Sequence, residues 1–192
     1  MQDVKLFPER TALVIIDMQK GIAAGRKTEP HEVDEIRKNV ARLVEASRKA
    51  GVKIFPVHVS GTDGKDMPNP IVDEKPNWGS GRPADWDEFI EEAKPKNGDI
   101  PITKRQWGAF YGTELDLQLR RRHIDTIILC GISTNIGVET TAREAYQHGY
   151  NIVFAEDAMG AMSKEEHESS TRFIFPRIGL IRSTEQVVSM VG

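Results

Sequence analysis

The chain has 192 residues, 39% of them hydrophobic and 29% charged, with a formal net charge of −3. That length and balance suit one α/β domain with a single sizeable core. A mildly acidic surface offers no field for gripping nucleic acid or an anionic membrane. One cysteine, Cys130, excludes an internal disulfide and fits a reducing compartment. The first residues form no apolar signal core and no later run is apolar enough to span a bilayer, so a cytoplasmic location is expected.

Residues 11–17 are a short apolar run without alternation, the pattern of a parallel strand covered on both faces. Residues 31–50 predict a helix in which Val33, Ile36, Val40, Leu43 and Val44 form one stripe and Gly51 is the stop. Further strands are predicted at 52–59, 100–103, 126–130, 151–155 and 179–182. Helices are predicted at 113–122, 135–148, 164–174 and 184–190, the last opened by Ser183, Thr184 and Glu185. The run Phe175, Pro176, Arg177, Ile178, Gly179 reads as a helix-to-strand connector. Arg120, Arg121, Arg122 and His123 close a predicted helix, where cations offset the helix dipole, rather than forming a nucleic-acid patch. Strands alternating with helices imply right-handed crossovers and a doubly wound, mainly parallel six-stranded sheet with helices on both faces. The whole chain, 1–192, reads as one domain.

The pattern breaks between residues 60 and 98, where eight Gly and Pro residues from Gly61 to Pro83 punctuate the chain. One short amphipathic helix is expected there around Trp86, Phe89, Ile90 and Ala93. A connection this long is usually functional, so it is read as a lid over the site or an oligomer contact, the alternative being a tolerated surface insertion.

Ligands of a doubly wound sheet bind at the carboxyl ends of the strands. Three places fall there: Asp17, Lys104 and the turn 131–137. A carboxylate ending an apolar strand is costly to bury unless something pairs with it, and Lys104 is the natural partner. From spacing alone, a structural ion pair or a helix-capping aspartate explains the pair equally well.

Taken as an ordered set, these motifs resemble the isochorismatase-like family of hydrolases over almost the whole chain, from Leu13 to about Val187. The set comprises the run from Leu13 to Gln19, then Lys104 and Arg105 with Ala109 and Phe110 behind them, then Gly131, Ile132, Ser133, Thr134 and Asn135. The resemblance implies that Asp17 moves a proton, that Lys104 sets its charge state, and that a non-proline cis peptide joins Ile132 to Ser133. It also implies that backbone N–H groups of that turn face a substrate oxygen, aided by the start of the helix. Most members carry a nucleophilic cysteine where this chain has Gly137, so the covalent amidase route is closed here. Isochorismatases proper resemble this chain in lacking that cysteine, and they cleave a vinyl ether to release pyruvate by a general-acid route. Relatives form dimers and larger assemblies, so a homo-oligomer acting on a small molecule is expected.

Cys130 is not a displaced nucleophile on this reading, because free cysteine in an apolar strand behaves as a small hydrophobe. No cofactor is expected: the glycine turn lacks dinucleotide spacing and there is no P-loop. No metal is expected either, since His31, His58, His123, His148 and His167 are scattered without ligand spacing, and the nicotinamidase Asp-x-His motif is absent around His58. His58 reads as a pocket-wall or hydrogen-bonded strand-end residue. Trp107, Phe110 and Tyr111 are candidates to wall a pocket for a flat ring, or are ordinary core; Trp78, on the long connection, is a candidate substrate contact, and Arg105 suits a substrate carboxylate. The leading expectation is acid-assisted hydrolysis with Asp17 as donor. The alternatives are Asp17 as a base activating water on an amide or ester, and a catalytically silent binder.

Overall fold

A computed structural model describes residues 4–74 and 82–192. Six strands form one sheet: β1 (Thr11–Ile16), β2 (Lys53–Val59), β3 (Ile102–Lys104), β4 (Thr126–Ile132), β5 (Asn151–Gly160) and β6 (Leu180–Arg182). The helices are α1 (Lys20–Ala23), α2 (Val33–Ala50), α3 (Leu115–Arg121), α4 (Glu139–Gln147), α5 (Lys164–Phe173), α6 (Phe175–Ile178) and α7 (Thr184–Val191). Every strand pairing is parallel, and the spatial order is β3-β2-β1-β4-β5-β6. The order reverses between β1 and β4, which places the topological switch point, and with it the natural ligand crevice, at their carboxyl ends.

Alternation along the strands divides the core in two. Leu13, Ile15, Ile128, Cys130 and Val153 pack with the α2 stripe and α7 on one face. Ala12, Val14, Ile16, Leu129 and Phe154 pack with residues of α3, α4 and α6 on the other. All six β1 residues are buried, as expected of a strand covered on both faces. Helix ends follow local chemistry. Gly51, at φ 82°, caps α2 with its N–H on Arg48 O, while Ser163 and Ser183 each build a capping box with the residue three positions on, Glu166 and Gln186.

The run read as a connector holds a one-turn helix, Phe175–Ile178, and three larger differences from the sequence expectation stand out. The helix predicted around Trp86 to Ala93 is a single 3-10 turn, Glu91–Ala93. Residues just before it lie extended against the end of β1: Gln19 and Phe89 form an antiparallel bridge, and Ile90 N–H donates to Met18 O. The helix predicted from 135 opens as a π-helical turn, Thr134–Val138, and becomes α-helical only at Glu139. Strand β5 runs on to Gly160 because residues 155–158 bulge out opposite Cys130 before pairing resumes. No helix of the described residues is long and apolar enough to cross a membrane.

Candidate active site

Asp17 leaves β1 in a left-handed conformation, φ 53°, its own N–H bonded to Val57 O and its carbonyl accepting from Gln19 N–H. That turn drives its side chain into the crevice at the switch point. Lys104, the last residue of β3, reaches it from the other side of β2. Its ammonium donates to Asp17 Oδ2 (2.8 Å), Trp107 O (2.7 Å) and Gln106 O (3.1 Å), so its three protons meet three acceptors in a site where the side chain is 1% exposed. Asp17 is also buried, and its second oxygen, Oδ1, has no partner among the described residues. Burial pushes the Asp17 carboxyl above its ordinary value, against the opposing pull of Lys104. An acid in that balance can hold a proton on the free oxygen while the other stays fixed to the lysine.

Gly137 completes the group. A Cβ built there lies 3.0 Å from Ile16 Cγ2, 3.1 Å from Asp17 Oδ2 and 3.5 Å from Lys104 Nζ. A side chain at 137 would therefore sit against the ion pair, and glycine leaves that face of Asp17 bare. Ile132 and Ser133, joined by a cis peptide bond, run directly into the π-helical turn, in which Ile136 and Val138 N–H groups converge on Ser133 O. Gly131, at φ 118°, has no room for a side chain because a Cβ would overlap the Ile16 carbonyl oxygen.

The remaining candidates divide. Trp107 follows Lys104 on the same loop and is 62% exposed. Arg105 is also on that loop, its guanidinium donating to Asp66 Oδ2 at 2.7 Å and clasping the long connection. Phe110 is turned into the core, flanked by His148 and Tyr150. Trp78 lies outside the described residues. Cys130 points to the opposite face of the sheet from Ile16 and Gly137, fully buried, and burial pushes its thiol far up, away from a reactive thiolate. His58 bonds Asp87 O (2.6 Å) and Thr103 Oγ1 (2.9 Å) and stacks on Phe89, so it is a hydrogen-bonded strand-end histidine.

Two supporting residues escaped sequence reasoning. The fully buried Gln19 amide accepts from Val59 N–H (2.8 Å) and donates to Val59 O (3.1 Å) and Trp86 O (3.2 Å), locking the turn after Asp17 to β2 and to the long connection. Thr141 Oγ1 donates to Gly137 O (2.7 Å) and accepts from Ala109 N–H (3.1 Å), joining the π-helical turn to the Lys104 loop. A threonine four residues into a helix usually bonds back to its own helix, and nothing in the sequence signals the second contact. The histidines also correct the sequence reading: scattered along the chain, His31 and His167 meet at Glu156 once it folds.

An α/β sheet with a buried Asp–Lys pair at its switch point and a glycine facing the acid is a candidate site for small-molecule chemistry. The sequence profile of the isochorismatase domain matches residues 11–186. The chain belongs to the isochorismatase family. It is 53% identical over 192 residues to the isochorismatase family protein YwoC of Bacillus subtilis, covering 100% of this chain and 99% of the relative. It is 30% identical to the ureidoacrylate amidohydrolase RutB of Acinetobacter baylyi, over 97% of this chain and 85% of that one. The solved structure of an isochorismatase family protein from Burkholderia thailandensis superposes with a TM-score of 0.90 at 36% identity, covering 98% of both chains. Members of the family are hydrolases, and the six-stranded parallel sheet is theirs.

Proposed function

We propose that this chain hydrolyses a small molecule without a covalent intermediate, with Asp17 as proton donor. The observation that carries the reading is the buried Asp17 carboxyl, whose Oδ1 has no partner among the described residues and whose lysine-bonded Oδ2 faces a glycine. A carboxyl raised by burial is a proton source, and the glycine removes the group that would attack a carbonyl. On a vinyl ether, Asp17 delivers its proton to the double bond to give an oxocarbenium ion. Water adds to that ion, and the resulting hemiketal collapses to a keto acid and an alcohol. Lys104 holds the carboxylate left behind, and the turn after Ile132 orients the substrate oxygen.

Isochorismate is the first substrate to try, with pyruvate release followed for wild type beside Asp17→Asn. The asparagine keeps the shape and removes the titratable proton. We expect release from wild type to fall by at least about a hundredfold in the variant, the lower range of general-acid contributions. No release from a folded wild type would retire isochorismate. Release that survives in Asp17→Asn would retire Asp17 as the acid.

A second reading makes Asp17 the base that activates water against an amide, favoured by the 2.8 Å contact of Lys104, which supports the carboxylate, and by kinship to an amidohydrolase. The sign of the pH profile separates the two.

A further inference from the structure

We propose that His31, Glu156 and His167 form a binding site for one divalent transition ion of the zinc class, away from the Asp17–Lys104 pair. Three separate parts of the chain converge to make it. His31 stands between the cis Glu29–Pro30 bond and α2, Glu156 projects from the bulge in β5, and His167 lies on the inner side of α5. Both imidazoles direct Nε2 at one oxygen: His31 to Glu156 Oε1 at 3.0 Å and His167 to the same atom at 2.8 Å. The three donor atoms lie within 4.8 Å of one another. Two imidazole nitrogens and a carboxylate are the donor set of three-ligand zinc sites, which leave the remaining positions to water. Zinc holds such atoms at about 2.0–2.2 Å, which places neighbouring ligands roughly 3.3 Å apart. The two nitrogen–oxygen contacts, 3.0 and 2.8 Å, lengthen by only a few tenths of an ångström to admit the ion.

The far sides of the rings make the case stronger. Metal-bound histidines present their second nitrogen to an outer partner that fixes the ring. His167 Nδ1 meets Thr134 Oγ1 at 2.9 Å, and His31 Nδ1 faces Glu35 Oε1 at 3.6 Å. The bulge that presents Glu156 is itself held on both sides, since Asp157 O accepts from Asn39 and Asp157 Oδ1 accepts from Thr184 N–H and Oγ1. His167 is 1% exposed, whereas His31 and Glu156 keep part of their surface open, which gives an ion a way in. Thr134 begins the π-helical turn at Gly137, so an ion on His167 braces the candidate active site from behind.

The test uses the full chain stripped with a chelator and titrated with zinc alone by calorimetry, with cobalt absorption as a spectroscopic readout. One equivalent of zinc should bind, and cobalt should give the visible bands of a low-coordinate site. Glu156→Gln preserves an acceptor for both rings but removes the anionic ligand, and His31→Asn removes a partly exposed ligand. Each should weaken zinc by at least about a hundredfold, more than loss of an outer partner costs. His123→Asn, a surface histidine with φ 57° that asparagine tolerates, should leave binding unchanged. Absence of saturable zinc binding to folded wild type would overturn the proposal, as would wild-type zinc affinity in Glu156→Gln and His31→Asn.

Discussion

Asp17 is held between two opposed forces, and its chemistry follows from which one wins. Burial disfavours the carboxylate and Lys104 favours it; burial is the larger effect, so the group titrates above its ordinary 3.8. A donor works in its protonated form. As an acid, Asp17 should give a kcat/KM that is level at low pH and falls about tenfold per unit above its raised value; as a base, the slope reverses. The same shift acts on stability. From 3.8 upward the folded chain holds a proton that the unfolded chain has released, so this group's contribution declines as pH rises to its folded value. Urea midpoints should therefore fall with pH across that window in wild type relative to Asp17→Asn, which lacks the titration. Parallel curves would show that Asp17 is not raised. Neither sign is readable from sequence, since burial and the Lys104 distance are both tertiary quantities.

Among the elements, the end of β4 is the least tolerant. Gly131 combines a left-handed backbone with direct approach to the Ile16 carbonyl, so any side chain there forces β1 and β4 apart. Gly131→Ala should cost about 3 kcal/mol or more by urea denaturation, because strain and strand separation add. A loss under about 1 kcal/mol would mean that the strands can slide apart cheaply. Gly137 differs, since its built Cβ meets side-chain atoms that can shift by a few tenths of an ångström. The long connection shows why the amphipathic spacing of Trp86, Phe89, Ile90 and Ala93 misled. Helix propensity is worth tenths of a kcal/mol per residue. Here the backbone is claimed instead by Met18, Lys20 and Gly21, through Ile90 N–H to Met18 O, Lys20 N–H to Glu88 O and Gly21 N–H to Trp86 O. The tryptophan and phenylalanine still pack on the core, Trp86 from a hydrogen-bonded turn and Phe89 from the bridge to Gln19.

At the scale of the molecule, Trp107 and Tyr111 stand 62% and 76% exposed on the loop that carries Lys104. Exposed aromatics beside a buried site suit a partner surface, and the family resemblance implies assemblies. Light scattering should give a mass of two or more chains, and Trp107→Ser should shift it toward one; a monomeric wild type would refute this. The alternation of strands and helices, the buried β1 run, the α2 stripe and the ordered Asp17, Lys104 and Gly131 motifs were all legible in the sequence. Each is a local pattern, in which periodicity fixes a face and strand order fixes which end holds the ligand. Tertiary structure alone decided the rest: the unpartnered oxygen of Asp17, the Gln19 and Thr141 clamps, the extended path before Ala93, and the meeting of His31 with His167 at Glu156. These depend on distances between residues up to 136 positions apart, fixed by the packing of whole elements and written in no local pattern.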